Sequence, residues 1–189
     1  MKLKRWLLWG ALVVFLFVFT IRVVWVNTTY PEPSKYIVAV GETVTGPYGL
    51  KYTIQDAEFL SEDEVGALYD AIDPERTKYT RSPASGVLIE LSILNPTQEE
   101  QRINVPSNLE SNAWKNGLAV PIYYYLNQNI VESNTIKPGE TVIVKLPFTA
   151  ALLSFPSEQI PTLCERKYYL VVSLTPEVVK MELPYIGDK

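Results

Sequence analysis

The sequence contains no histidine and a single cysteine, Cys164. Without imidazole there is no Ser-His-Asp or Cys-His catalysis, and the usual zinc sites, which draw on imidazole or several thiolates, go with them. One thiol cannot close an internal disulfide, so no disulfide framework holds the fold. Acidic residues are missing from the first 26 positions, where Lys2, Lys4, Arg5 and Arg22 all fall. Removing those four from the 17 basic residues leaves 13 to set against 21 acids, a net charge of −8 over residues 27–189. A surface of that sign repels phosphate backbones, so nucleic acid is not an expected partner.

What the N-terminus has instead is the run WLLWGALVVFLFVFTIRVVWV, residues 6–26, uncharged from Trp6 to Ile21. As a helix its 21 residues span about 31 Å at ~1.5 Å each, close to the thickness of a bilayer's hydrocarbon core. Trp6 and Trp9 fall at one end, and Trp25 with Tyr30 at the other, as expected for amphipathic rings at the two headgroup layers. A secretory signal shares the basic start, but its apolar region is usually ~7–15 residues and ends in small residues that Val-Trp-Val-Asn-Thr-Thr does not offer. We therefore read a retained transmembrane helix, with cleavage as the alternative. The bases at 2, 4 and 5 hold residues 1–5 in the cytoplasm, so the rest faces outward as a single-pass cell-membrane protein. Arg22 lies one turn from the outer end, where a long side chain snorkels to the interface.

Residues 27–35 read as a stiff tether, since Pro31 and Pro33 favour an extended chain. Beyond it, residues 36–185 show repeated period-two alternation. Val87, Ile89, Leu91 and Ile93 share one side of a strand that closes at Asn95-Pro96, and Val142, Val144 and Leu146 alternate after the turn Lys137-Pro138-Gly139-Glu140. Tyr168 to Leu174 and Val179 to Leu183 form two more such runs. In LKYTIQDAEFL the apolar phase passes from Leu50, Tyr52 and Ile54 to Ala57 and Phe59, which predicts a bulge near Gln55 or Asp56. Residues 36–40 and 122–126 bring the expected strands to about seven, the pattern of an all-β, antiparallel sandwich. Ser61 three residues before Glu64 is the spacing of a capping box, and Val65, Leu68, Tyr69 and Ile72 then share a helical face. A turn of helix is also expected within residues 106–117.

The fragments VGETVTGPYGLKYTIQDAEF, GVLIELSILNPTQEEQRINV, IKPGETVIVKLPFTA and YYLVVSLTPEVVKMEL, in that order, resemble the telokin-like, immunoglobulin-type extracellular domains of unknown function of Gram-positive bacteria. The resemblance covers roughly residues 36–185 and implies an immunoglobulin-like sandwich, secreted or membrane-tethered, with no catalytic residues to carry over. Its motifs are a Gly-Glu-Thr, a strand ending in Leu-Asn-Pro, a Pro-Gly-Glu turn and a closing pair of strands.

Candidate sites are few. The acids Glu62, Asp63, Glu64, Asp70, Asp73 and Glu75 could gather around calcium, but acids in a helix's first turn are accounted for by its dipole. Tyr123, Tyr125 and Trp114 are the candidate binding surface: on a strand, Tyr124 would face the core with Ile122 and Leu126, leaving Tyr123 and Tyr125 outside. Cys164 is expected as a small buried side chain. The reading is a non-enzymatic, membrane-anchored extracellular domain without metal or cofactor, which binds an unidentified protein or cell-wall component or serves as an accessory component at the envelope. A carbohydrate or cell-wall recognition module using the exposed aromatics is the alternative, and an enzyme of unrecognised type ranks third.

Overall fold

The computed structural model describes residues 2–29, 33–75, 83–112, 114–174 and 177–187, divided into an N-terminal unit ending at Ser34 and a second unit of residues 35–189. The first is a single helix, α1 (Lys2–Thr29). From Leu12 to Val26 its apolar side chains are exposed around the whole circumference, Phe15 stacking on Phe19. The hydroxyls of Thr20 and Thr28 donate to the carbonyls of Leu16 and Val24, four residues back. Asn27, Thr28 and Thr29 thus continue the helix, where an extended tether was expected from residue 27. Tyr30 lies outside the described residues.

The second unit is a β-sandwich. In chain order its strands are β1 (Lys35–Val38), β2 (Thr43–Thr45), β3 (Lys51–Leu60), β4 (Ala84–Leu94), β5 (Gln101–Arg102), β6 (Asn108–Ser111), β7 (Trp114–Gly117), β8 (Thr135–Ile136), β9 (Thr141–Ala151), β10 (Tyr169–Ser173) and β11 (Val178–Glu182). One sheet runs β2-β3-β4-β9, the other β1-β11-β10-β6-β7, and β5 pairs with β8. The alternation in β4 turns Val87, Ile89, Leu91 and Ile93 to the interior, and all four are buried. Across the ladder Val87 faces Phe148, Ile89 faces Leu146 and Leu91 faces Val144. Leu109, Leu170 and Met181 of the opposite sheet, with Tyr168 just before β10, complete this core. The register of β3 slips between Ile54 and Asp56, so the buried positions pass from Tyr52 and Ile54 to Ala57, as the sequence predicts.

On the outer side of the four-stranded sheet, Leu60, Leu88 and Val65 form a second, smaller core under α2 (Glu62–Ile72). Gly86 makes that approach close: a Cβ there would lie 2.8 Å from the Phe148 carbonyl oxygen and 3.3 Å from Val65 Cγ2. The capping box forms as expected. Glu64 N donates to Ser61 Oγ at 3.4 Å, and Ser61 N donates back to Glu64 Oε2 at 2.8 Å.

The motif fragments resolve into turn chemistry. Asn95, fully buried at the end of β4, donates from Nδ2 to the carbonyls of Ile136 and Glu99, and its backbone pairs with Glu140 O and Gly139 N. Leu-Asn-Pro and Pro-Gly-Glu therefore meet in one knot, where Gly139 holds φ +74°, a left-handed conformation suited to glycine.

Three further expectations are corrected. Residues 122–126 are helical, within α3 (Val120–Leu126), which is followed by α4 (Gln128–Ser133). The helical turn expected within 106–117 is the β6–β7 hairpin. The sandwich is not wholly antiparallel, because β1 pairs parallel to β11. Period-two patterning specifies which face a strand buries and carries no information on the direction of a partner some 140 residues away.

Ser61→Ala is expected to lower unfolding free energy by about 1 kcal/mol in urea titrations, through loss of the cap. Hydrogen bonds from the Ser61 hydroxyl, then from its amide, hold the Glu64 carboxyl below its ordinary pKa. That contribution is present above the unfolded value of about 4.3 and fades as pH falls through the lower folded one, so the difference from wild type should shrink on acidification.

Candidate functional site

The three consecutive tyrosines sit on α3, and this changes which of them face outward. Pro121 near its start lacks an N–H that would have no partner there anyway. At ~100° per residue, Ile122 turns fully inward, and Tyr123 packs half-buried against the main core. Tyr124 and Tyr125 remain 53% and 42% exposed. The expected assignment is therefore inverted for Tyr123 and Tyr124, because a strand would rotate each residue by 180°. Burial, and secondarily the neighbouring Tyr124 hydroxyl, push the Tyr123 pKa up. Tyr125 lies beside the exposed Ile143 and the half-buried Lys145 of β9 at an open recess.

Trp114 belongs elsewhere. Its ring meets Tyr168 edge-on at 6.0 Å and Phe155 at 6.3 Å, and Phe155 carries the Arg166 guanidinium on its face at 5.4 Å. Tyr168 in turn donates its hydroxyl to Leu163 O at 2.8 Å, five residues upstream, and burial pushes its pKa up to about 12. This cluster fastens the loop before β10 to the sheet, so Trp114 is packed and its ring contacts are not with Tyr123 or Tyr125. Cys164 lies half-buried in the same loop, its thiol directed at Pro161 O. The expected full burial of that side chain is not met.

The segment that carries α3 also closes an edge. β9 is the outer strand of its sheet and would expose unpaired backbone groups. Asn116 Nδ2 donates to Thr149 O, Leu118 bridges to Phe148, and Ala119 N donates to Pro147 O at 2.8 Å. Asn127, 4% exposed, finishes the edge: its Nδ2 donates to Lys145 O and to Tyr123 O, and its Oδ1 accepts from Lys145 N, each at 2.8 Å. One side-chain amide thus imitates a strand residue and ends the helix. No sequence pattern distinguishes this asparagine from an ordinary turn residue.

A cleft of about 220 Å³ opens at the end of the sandwich, between the loop after β5 and the end of β10. Its lining of Pro47, Tyr52, Asn104, Ser107, Asn108 and Leu174, among others, includes no charged side chain. Tyr52 donates its hydroxyl to Asn104 O at 2.7 Å, and burial, then proximity to Tyr48, push its pKa up to about 12. Tyr48 sits at φ +60° with its ring exposed, a left-handed conformation that few bulky residues adopt. Its one trace in the sequence is the turn Gly46-Pro47-Tyr48-Gly49.

On the outer face of the five-stranded sheet, Glu110 accepts from Lys180 and lies 3.2 Å from Lys115. Burial works to raise the Glu110 pKa, but the hydrogen bonds and charges of both lysines outweigh it and carry it down. Among the described residues no three carboxylates or thiols converge as metal ligands, and Glu64 of the acidic run is held by Ser61.

Asn127→Ala is expected to cost about 2–3 kcal/mol in denaturant titrations, because buried groups of Lys145 and Tyr123 lose their partners. Glu110→Gln should cost up to about 1 kcal/mol at neutral pH, because both lysine partners reach solvent. The depressed carboxyl contributes above its unfolded pKa of about 4.3 and ceases to as pH falls through the folded value, so the two proteins should converge in stability below that range.

Among solved structures, the chain is similar to an uncharacterized β-sandwich protein from Clostridium difficile 630, at 14% identity and TM-score 0.46, covering 81% of this chain and 97% of that one. A conserved hypothetical protein from Bacillus anthracis shows 16% identity and TM-score 0.45, with coverages of 78% and 95%. A functionally unknown protein from Listeria monocytogenes EGD-e shows 11% and 0.47, with 83% and 85%. No curated protein matches the sequence. The family described as "Domain of unknown function (DUF5028)" matches residues 40–178, most of the sandwich, and the chain belongs to it.

Proposed function

We propose that this protein is a single-pass, non-enzymatic envelope protein whose immunoglobulin-like domain, held outside the cell by α1, binds a protein or cell-wall component or serves as an accessory component. The observation that carries the reading is α1 itself. Its apolar stretch Trp9–Thr29 is 21 residues long, exposes apolar side chains on all sides, and is long enough to cross a bilayer. Such a surface is stable only in a lipid solvent, and every backbone N–H and C=O of a helix interior is already paired, as that solvent requires. The bases at 2, 4 and 5 support a cytoplasmic N-terminus.

The immunoglobulin-like assignment is supported by connectivity. β3, β4 and β9 stand opposite β6, β10 and β11, the arrangement of A, B and E against C, F and G, and β1 lies parallel beside the last strand. The Tyr168 hydroxyl, bonded back to Leu163 at the entry to β10, has the geometry of a tyrosine corner. A binding role is supported by the exposed Tyr124 and Tyr125, which a partner can cover without disturbing the core. The absence of histidine from the chain favours binding over catalysis.

Protease added to intact cells is expected to remove a C-terminal epitope tag while the helix stays with the membrane through alkaline carbonate. The mass of the purified protein should include residues 6–26. A mature chain beginning after Asn27, or a tag that survives the protease on intact cells and is cut only after lysis, would overturn the proposal.

A further inference from the structure

Arg22 interrupts the apolar helix, and its guanidinium lies 4.5 Å from the centroid of the Trp25 ring, one turn further along. A cation on a ring face uses the flat side of the guanidinium and leaves the N–H groups at its edge directed outward. No aspartate or glutamate occurs in residues 2–29, so α1 carries no counter-ion for this charge. The hydroxyls of Thr20 and Thr28, by contrast, are satisfied by helix carbonyls. Three residues of helix separate the α-carbons of Arg22 and Trp25 by only ~4.5 Å along the axis, and tryptophan sits at the headgroup level. The charge is therefore held within about one turn of the layer where lipid phosphates lie, by a residue suited to that layer.

We propose that Arg22 and Trp25 form a lipid-phosphate site, in which the ring holds the guanidinium and its free edge donates two parallel hydrogen bonds to the phosphodiester of an outer-leaflet phospholipid. The planar fork of arginine matches two phosphate oxygens, whereas a lysine would offer a point charge and no such fit. The inference rests on the reading of α1 as a membrane span. It adds to that reading a ligand class and a reason why a charge is tolerated in this turn.

The test is carbon–phosphorus dipolar dephasing of the arginine Cζ resonances in full-length protein reconstituted into phosphatidylglycerol vesicles. Wild type should show a dephased component that is lost in Arg22→Gln and lost when the vesicles are made of a phosphate-free glycolipid. If the lost component returns in glycolipid vesicles on adding inorganic phosphate, the site takes free phosphate and the lipid assignment is overturned. A chain that resists carbonate yet shows the same dephasing with and without Arg22 would overturn this proposal alone, and would direct attention to a carboxylate on a partner helix. A chain released by carbonate would overturn the anchor reading, and this site with it.

Discussion

The burial of β4 between β3 and β9, under the second sheet, is the interaction on which the domain depends. Val87, Ile89, Leu91 and Ile93 are nearly or wholly without solvent contact, and each such side chain contributes about 1.5–3 kcal/mol relative to exposure. Because β4 is central in its sheet, its other side must be covered as well, and Leu88 meets Val65 and Leu60 there. Asn95 then ties the end of the same strand to the turn before β9. With no disulfide between the sheets, apolar packing and these buried hydrogen bonds hold them together.

Closing the edge of β9 decides what the surface can present. The segment 116–127 satisfies backbone groups from Lys145 to Thr149, which covers that part of the edge against pairing with another chain's strand. The same segment, wound into α3, lifts Tyr124 and Tyr125 into solvent while anchoring itself through Ile122 and Asn127. Trp114 is spent on a different task, fastening the loop before β10 through Tyr168 and Phe155. Packing thus divides the aromatic residues into an exposed pair, Tyr124 and Tyr125, a core contact at Tyr123 and a partly buried clasp around Tyr168.

Much of the scaffold was legible in the chain. The phases of β4 and β9, the slip in β3 at Gln55 and the Ser61–Glu64 cap all follow from interactions within a few residues or within one strand. The candidate surface was legible only in part. Tyr125 is exposed as expected, but Tyr123 and Trp114 are packed, because their exposure depends on elements brought together from distant parts of the chain.

By itself, the sequence determined the apolar helix, the inward faces of the long strands and the turns built on Asn95, Gly139 and Ser61, since hydropathy period, length and local capping act at short range. Only the tertiary structure decided that residues 120–126 are helical, that 108–117 form a hairpin and that β1 runs parallel to β11. The β-favouring tyrosines yield because the adjoining backbone lies against the edge of β9, where Asn127 completes the hydrogen bonds that a further strand would otherwise supply. That contact spans 18 residues, and no local pattern encodes it.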